Sequence, residues 1–250
     1  MKHLFIVGAQ RSGSTYLYEV LDSHPQVSMV HPVRPEPKFF MSEQLVAQGK
    51  EYYERTYFAD RKLRARYLGE KSTSYLESPE AARRIKAFYP EASILIILRE
   101  PVARAYSNYR FSVAHKLEPL TFAEALEAEP ERLCNAAFNT SVTPYAYRKR
   151  GRYVEYIESY LEVFNTDQLH VLIFEEFVNN LASIQRLYRW LGVEHNFVPP
   201  MLNEVINPAT VVKEDQQSAF RDLAHGYVDS IARLEKLLGR KIEVWREQHL

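Results

Sequence analysis

Leu4-Phe5-Ile6-Val7-Gly8-Ala9-Gln10-Arg11-Ser12-Gly13-Ser14-Thr15 is the stretch on which the fold turns. Four apolar residues in a row are too few for a typical helix and they stop at a glycine. Residues 4–7 therefore read as a strand buried on both faces, the kind that parallel sheets contain. From Ser14 onward, Tyr16, Leu17, Val20 and Leu21 recur at three- and four-residue spacing as far as Ser23-His24-Pro25, which predicts a helix closed by a proline. Between strand and helix, Gly8 and Gly13 have the spacing of the ATP-type phosphate loop. Such a loop offers successive backbone N–H groups and a helix N-terminus, both of which attract phosphate oxygens. Ser14 stands where nucleotide-hydrolysing loops carry the lysine that reaches the β- and γ-phosphates, and Arg11 is the loop's one cation. The sequence thus predicts an anion cradle without the main cation of triphosphate chemistry.

The same grammar recurs down the chain. Ser93-Ile94-Leu95-Ile96-Ile97-Leu98 is the most apolar run and leads through Arg99-Glu100-Pro101 into a helical stretch toward His115. A third strand is expected over 169–174, after an amphipathic helix over 153–164 and before another over 178–191; a weaker strand candidate lies at 67–69 and a further helix at 79–88. Repeated alternation of strand and helix implies an α/β fold: one domain over 1–250, with a central parallel sheet flanked by helices, like that of the P-loop NTPases. Residues 199–212 read as a long loop before a last helix over 215–238.

Composition narrows the function classes. Hydrophobic residues make up 46% and charged residues 26% of the 250, which suits a globular chain and not a disordered or fibrous one. Lys+Arg and Asp+Glu are 32 each, so no global basic field exists to hold a nucleic-acid backbone or an anionic membrane, and any anion site is local. Cys134 stands alone, which excludes an internal disulfide and a cysteine-based zinc cluster and fits a reducing compartment. No apolar run approaches the roughly 18 residues of a membrane span, and the first strand runs straight into the glycine loop, so a cytoplasmic location is expected.

The stretch Gly8 to Leu17, followed by His24-Pro25, resembles the 5′-phosphosulfate loop of sulfotransferases that use 3′-phosphoadenosine 5′-phosphosulfate (PAPS); Arg11 falls where many members have lysine. Leu98-Arg99-Glu100-Pro101-Val102-Ala103-Arg104-Ala105-Tyr106-Ser107-Asn108-Tyr109 is similar to the family's 3′-phosphate motif. Residues 69–75, 150–153, 174–177 and the ending Leu238-Gly239 to Trp245 extend the likeness over nearly the whole chain.

The resemblance implies a set of roles. Arg11, Ser12, Gly13, Ser14 and Thr15 would hold the phosphosulfate, with Arg11 on the leaving oxygens, and Arg99 and Ser107 would bind the 3′-phosphate. A planar guanidinium directly after a buried strand suits that phosphate bidentately. Glu36, in Pro35-Glu36-Pro37-Lys38-Phe39-Phe40, is similar to the glutamate base of the heparan-sulfate-modifying branch, with His31 as its rival. Lys71 is expected to orient the acceptor or the sulfonate, or simply to pair with Glu70 or Glu36. The branch's basic C-terminal lid motif is absent, and Lys213 or Asn207 are the candidates to replace it. Of two basic clusters, 61–66 reads as a solvated face, while 148–152 is left open as a guide for an anionic acceptor.

The expected reaction is in-line transfer of the sulfuryl group from PAPS to an acceptor hydroxyl, of a carbohydrate or glycoconjugate, leaving PAP and needing no metal. The alternatives are a P-loop small-molecule kinase and a non-catalytic nucleotide-binding module.

Overall fold

The computed structural model describes residues 1–134, 143–202 and 217–246. Five strands are present: β1 (Lys2–Gly8), β2 (Val27–Met29), β3 (Tyr67–Lys71), β4 (Ser93–Leu98) and β5 (Leu169–Ile173). In chain order the described α-helices are α1 (Ser14–Ser23), α2 (Glu43–Val46), α3 (Gly49–Tyr57), α4 (Pro79–Phe88), α5 (Pro101–Ala114), α6 (Phe122–Cys134), α7 (Tyr153–Leu161), α8 (Phe174–Phe177), α9 (Leu181–Leu191), α10 (Gln217–His225), α11 (Val228–Leu238) and α12 (Glu243–Arg246). The chain divides into two compact units, Met1–Leu98 with Ser159–Ile206 and Arg99–Glu158 with Asn207–Leu250. No helix among the described residues is long and apolar enough to cross a membrane.

The first unit holds the whole sheet, ordered β2-β3-β1-β4-β5 with every pairing parallel. β1 is central because it is apolar on both faces, and period-two alternation sends its side chains to two different cores. Leu4 and Ile6 join Leu95 and Ile97 of β4 against Leu17 and Leu21 of α1 and Ile184 and Leu187 of α9. Phe5 points the other way, its ring 5.6 Å from Phe40 and 5.9 Å from Tyr89. Ile94 to Leu98 in β4 are all at 0% exposure, and at about 2 kcal/mol per buried side chain this strand alone contributes on the order of 10 kcal/mol of gross hydrophobic stabilisation.

Chain order reverses at β1: the chain first places β2 at one edge and returns with β3 between β2 and β1, then crosses to β4 and β5 on the other side. Ligands of open α/β sheets bind outside the carboxyl ends of strands at such a switch point, and Gly8 is the carboxyl end of β1.

The second unit packs α5 and α6 with α10 and α11. Its core runs through Val102, Ala105, Phe122, Leu126, Tyr147, Leu223 and Tyr227.

One strand is unforeseen by the sequence and two expected helices differ. β2 has only three residues and follows the proline-terminated helix too closely for periodicity to reveal it. The helix expected over 178–191 begins at Leu181, because Asn179 sits at φ 54 and the Asn180 side chain caps Ser183 N–H at 3.2 Å. The last helix is two, α10 and α11, parted at Gly226 and Tyr227; the Tyr227 ring is buried and its hydroxyl donates to Arg148 O at 2.9 Å.

Candidate active site

In the first unit the glycine loop leaves β1 and enters α1. Ala9 N–H donates to Ile97 O at 2.8 Å, which anchors the loop's start to β4. Gly13 is the residue before the helix and adopts φ 85, the left-handed region where a Cβ is costly; a Cβ there would also run into the Phe174 ring. Arg11 is likewise at φ 67. The first turn of α1 has no acidic residue, so its positive dipole end is not neutralised by its own side chains. Ser12 is fully buried and its Oγ has no hydrogen-bond partner among the described residues. An orphaned hydroxyl beside uncapped helix N–H groups is the donor set an oxyanion requires, so these residues fit a phosphosulfate.

Glu36 enters the same unit from the loop after β2. Its carboxylate is gripped on both oxygens: Lys71 Nζ donates to Oε1 at 2.6 Å, Thr73 N–H to Oε2 at 2.9 Å, and Thr73 Oγ1 lies 3.1 and 3.0 Å from the two oxygens. Lys71 is only 3% exposed and Glu36 15%, so this is a shielded ion pair, not a solvated loop carboxylate. Lys71 can reach it because β3 runs to Lys71, two residues further than the sequence candidate, in register with Ile6 of β1. Thr73 lies in the stretch 69–75 that resembles the family, but its grip on Glu36 is legible only from the contact. Glu70, one residue earlier on β3, faces the aromatic core and accepts from Tyr53 Oη at 2.5 Å and Ser72 Oγ at 2.6 Å. Burial pushes its carboxyl above the usual carboxylate range, the hydroxyls of Ser72, Tyr53 and Tyr75 pull it back, and the Glu36 charge pushes it up again.

His31, the rival base, is otherwise engaged: Nε2 lies 3.0 Å from Asp22 Oδ2 and Nδ1 3.2 Å from Tyr18 Oη. With Tyr18, Asp22, Val33 and Met201 it lines an open cleft of about 340 Å³ that none of the expected donor-binding residues lines. The cluster at 61–66 is partly structural. Lys62 Nζ donates to Val27 O at 2.9 Å, His24 O at 3.4 Å and Asp22 O, and pairs with Asp22 Oδ1 at 3.2 Å; Arg66 Nη1 donates to Gly192 O at 2.7 Å.

In the second unit, Arg99 directly follows β4 and Tyr153 Oη donates to its carbonyl at 2.8 Å. Glu100 caps α5, accepting from Val102 N–H at 2.9 Å and Ala103 N–H at 2.6 Å, with Pro101 in the first helical position. Arg99 therefore precedes the helix that carries Ser107, and helical periodicity does not relate the two. The cluster at 148–152 is internal at Arg150 and exposed at Lys149 and Arg152. Arg150 is 2% exposed and donates to Asn108 Oδ1 at 2.8 Å and Thr143 O at 3.0 Å, while Glu129 accepts from the Arg148 and Lys149 amides at 2.6 and 2.9 Å. Arg104 is wholly buried, donating to Tyr147 O. Lys213 and Asn207 lie outside the described residues.

Residues 1–237 match the family described as the sulfotransferase domain. The chain belongs to that family. A bifunctional heparan sulfate N-deacetylase/N-sulfotransferase 1 from Caenorhabditis briggsae is 32% identical over 201 residues, covering 76% of this chain but 22% of that protein. The sulfotransferase chain thus spans about a fifth of the length of the curated relatives it matches. The crystal structure of a sulfotransferase from Alicyclobacillus acidocaldarius superposes with a TM-score of 0.80 at 29% identity, covering 98% of this chain and 99% of that one. Mouse sulfotransferase SULT7A1 complexed with PAP, at 15% identity and a TM-score of 0.51, shares the fold. Membership of this family sets aside the small-molecule kinase.

Proposed function

We propose that this sulfotransferase moves the sulfuryl group of PAPS to a carbohydrate acceptor, with Glu36 as the general base. The observation that carries the reading is the Glu36 carboxylate, shielded from solvent and held on both oxygens by Lys71 and Thr73. A base held in one orientation is in place before the acceptor arrives. The acceptor's lone pair forms a new bond to sulfur as the bond from sulfur to the bridging phosphate oxygen breaks. The acceptor proton passes to Glu36, and the electron pair of the broken bond stays on the 5′-phosphate of PAP. The loop at 8–15 would stabilise that growing charge through Arg11, the Ser12 hydroxyl and the N–H groups entering α1. Arg99 and Ser107 would hold the 3′-phosphate. Lys71, beside the base, can pass from the carboxylate to the transferred group as the proton is taken up.

The sugar assignment is supported by the heparan sulfate enzymes among the relatives. Their N-sulfotransferase names widen the acceptor atom from a hydroxyl to an amine, which the same base would serve. Two measurements test the reading. PAP should raise the melting temperature by several degrees at about 100 Kd, equivalent to about 2.7 kcal/mol, while ATP with magnesium and adenosine 5′-phosphosulfate do much less. Stabilisation by ATP with magnesium alone would overturn the donor. PAPS would then be supplied with N-desulfated heparan sulfate, which offers amines, and with N-acetylated, O-desulfated heparan sulfate, which offers hydroxyls only. Sulfation of the first alone assigns N-transfer, sulfation of both assigns O-transfer, and sulfation of neither removes this class of acceptor.

A further inference from the structure

Residues 70–75 alternate in what they hold. Lys71 and Thr73 take the Glu36 carboxylate, whereas Ser72 and Tyr75 take the backbone just beyond it: Lys38 N–H donates to Ser72 Oγ at 2.9 Å and Phe40 N–H to Tyr75 Oη at 3.1 Å. Ser72 Oγ can accept because its own proton is directed to Glu70, at 2.6 Å, and the Tyr75 hydroxyl lies close enough to Glu70 for each to shift the other's titration. Hydrogen bonds in such a chain polarise and strengthen one another. Lys38 needs a hold of this kind. It sits at φ 51, a conformation that costs a non-glycine residue about 1 kcal/mol or more, at the start of the short turn Phe39–Met41. Glu70 is at 0% exposure among Tyr53, Tyr75 and Phe40, where an apolar side chain of similar volume would be cheaper to bury.

We propose that Glu70 is a positioning residue for the base: through the hydroxyls of Ser72 and Tyr75 it fixes the backbone of Lys38 and Phe40, and with it the place of Glu36. The inference rests on Glu36 being the base. It makes Glu70 responsible for the rate of the chemical step and not for donor binding. Tyr53 also donates to Glu70, but its hydroxyl does not reach the 38–40 backbone, so it separates the relay from the general stability of the cluster.

The test compares Glu70→Gln, Ser72→Ala and Tyr53→Phe in the full chain, with Glu36→Gln as the reference. Gln offers a single acceptor oxygen where the carboxylate offers two. Amide hydrogen exchange of the peptide spanning 36–41 should rise at least tenfold in Glu70→Gln and Ser72→Ala and stay near the wild-type rate in Tyr53→Phe. On whichever of the two polysaccharides is sulfated, kcat should fall about 10–100-fold in the first two variants with PAP affinity within threefold, and hold within twofold in Tyr53→Phe. If Glu70→Gln does not fold, Ser72→Ala carries the same test. Unchanged exchange in Ser72→Ala and Glu70→Gln overturns the inference, and so does an equal rise in Tyr53→Phe. Full turnover in Glu36→Gln overturns the base itself, whereas loss in Glu36→Gln with normal turnover in Glu70→Gln overturns the positioning role alone.

Discussion

The two candidate catalytic regions of the first unit are prepared in opposite ways. Both carboxylate oxygens of Glu36 are already partnered: two side chains and a backbone amide hold the carboxylate, and two hydroxyls hold the chain after it. In the glycine loop the buried Ser12 hydroxyl has no partner among the described residues, and α1 begins without an acidic residue in its first turn. The base region is thus organised by its own contacts, the phosphate loop by backbone geometry around donors left open. A base must hold its orientation in every turnover, while an anion site gains from donors whose desolvation cost has been met at folding.

The contrast is sharpest at Glu36 itself. Glu36→Gln keeps the size and one acceptor oxygen, so it should cut kcat by about 10²–10⁴ while PAP affinity stays within twofold, read by steady-state kinetics beside calorimetric titration. A matching loss of PAP binding would merge the two regions into one. Next in size, Gly13→Ala should cost roughly 2–3 kcal/mol of stability, from the φ 85 backbone and the Phe174 ring together, and at least tenfold in PAP affinity; denaturant melts and titration check both. Ser12→Ala should separate stability from binding. Removing an unpartnered buried hydroxyl leaves stability unchanged or up to about 1 kcal/mol higher, yet PAP should bind roughly 5–10-fold more weakly. A loss of stability would show that the hydroxyl is structurally engaged after all.

The smallest effect is the share of the pH dependence that Glu70 contributes beside the base. Glu70 is held above the ordinary carboxylate value by burial and by Glu36, against the hydroxyls of Ser72, Tyr53 and Tyr75; Tyr57 and Tyr89 also feel its charge. The folded chain therefore binds this proton more tightly than the unfolded chain. Its stabilising contribution is complete below about pH 4.5 and declines as pH rises toward the raised folded value, by at most about 1.4 kcal/mol per unit. Urea midpoints from pH 4 to 7 should fall more steeply with rising pH in the wild type and in Ser12→Ala than in Glu70→Gln. There Glu129, the buried His3 and His24 and the half-buried His170 still contribute their own dependence.

What the sequence made legible was local. The apolar run at 4–7, the glycine spacing, the run at 94–98 and the capping Glu100-Pro101 are each read from neighbours in the chain, and they placed the sheet and the loop correctly. The expected role of Lys71 is to orient the acceptor or sulfonate, and its pairing with Glu36 is one of the two ion pairs that stand as the alternative. What stayed hidden depends on contacts across 17 to 37 positions, as between Tyr53 and Glu70 or Thr73 and Glu36, which no periodicity encodes. Arg150 belongs to the basic run 148–152 whose role the sequence leaves undecided, and the fold spends it on Asn108 and Thr143 O.

The central strand has one more consequence, on the timescale of synthesis. β1 is made first, but its two neighbours in the sheet are β3, at 67–71, and β4, at 93–98. At about 5–20 residues per second, the ribosome needs on the order of 5–20 s to deliver the second of them. For that interval Leu4, Phe5, Ile6 and Val7 lack a flanking strand on at least one edge, so the nascent chain is most exposed to aggregation and chaperone capture before β4 emerges.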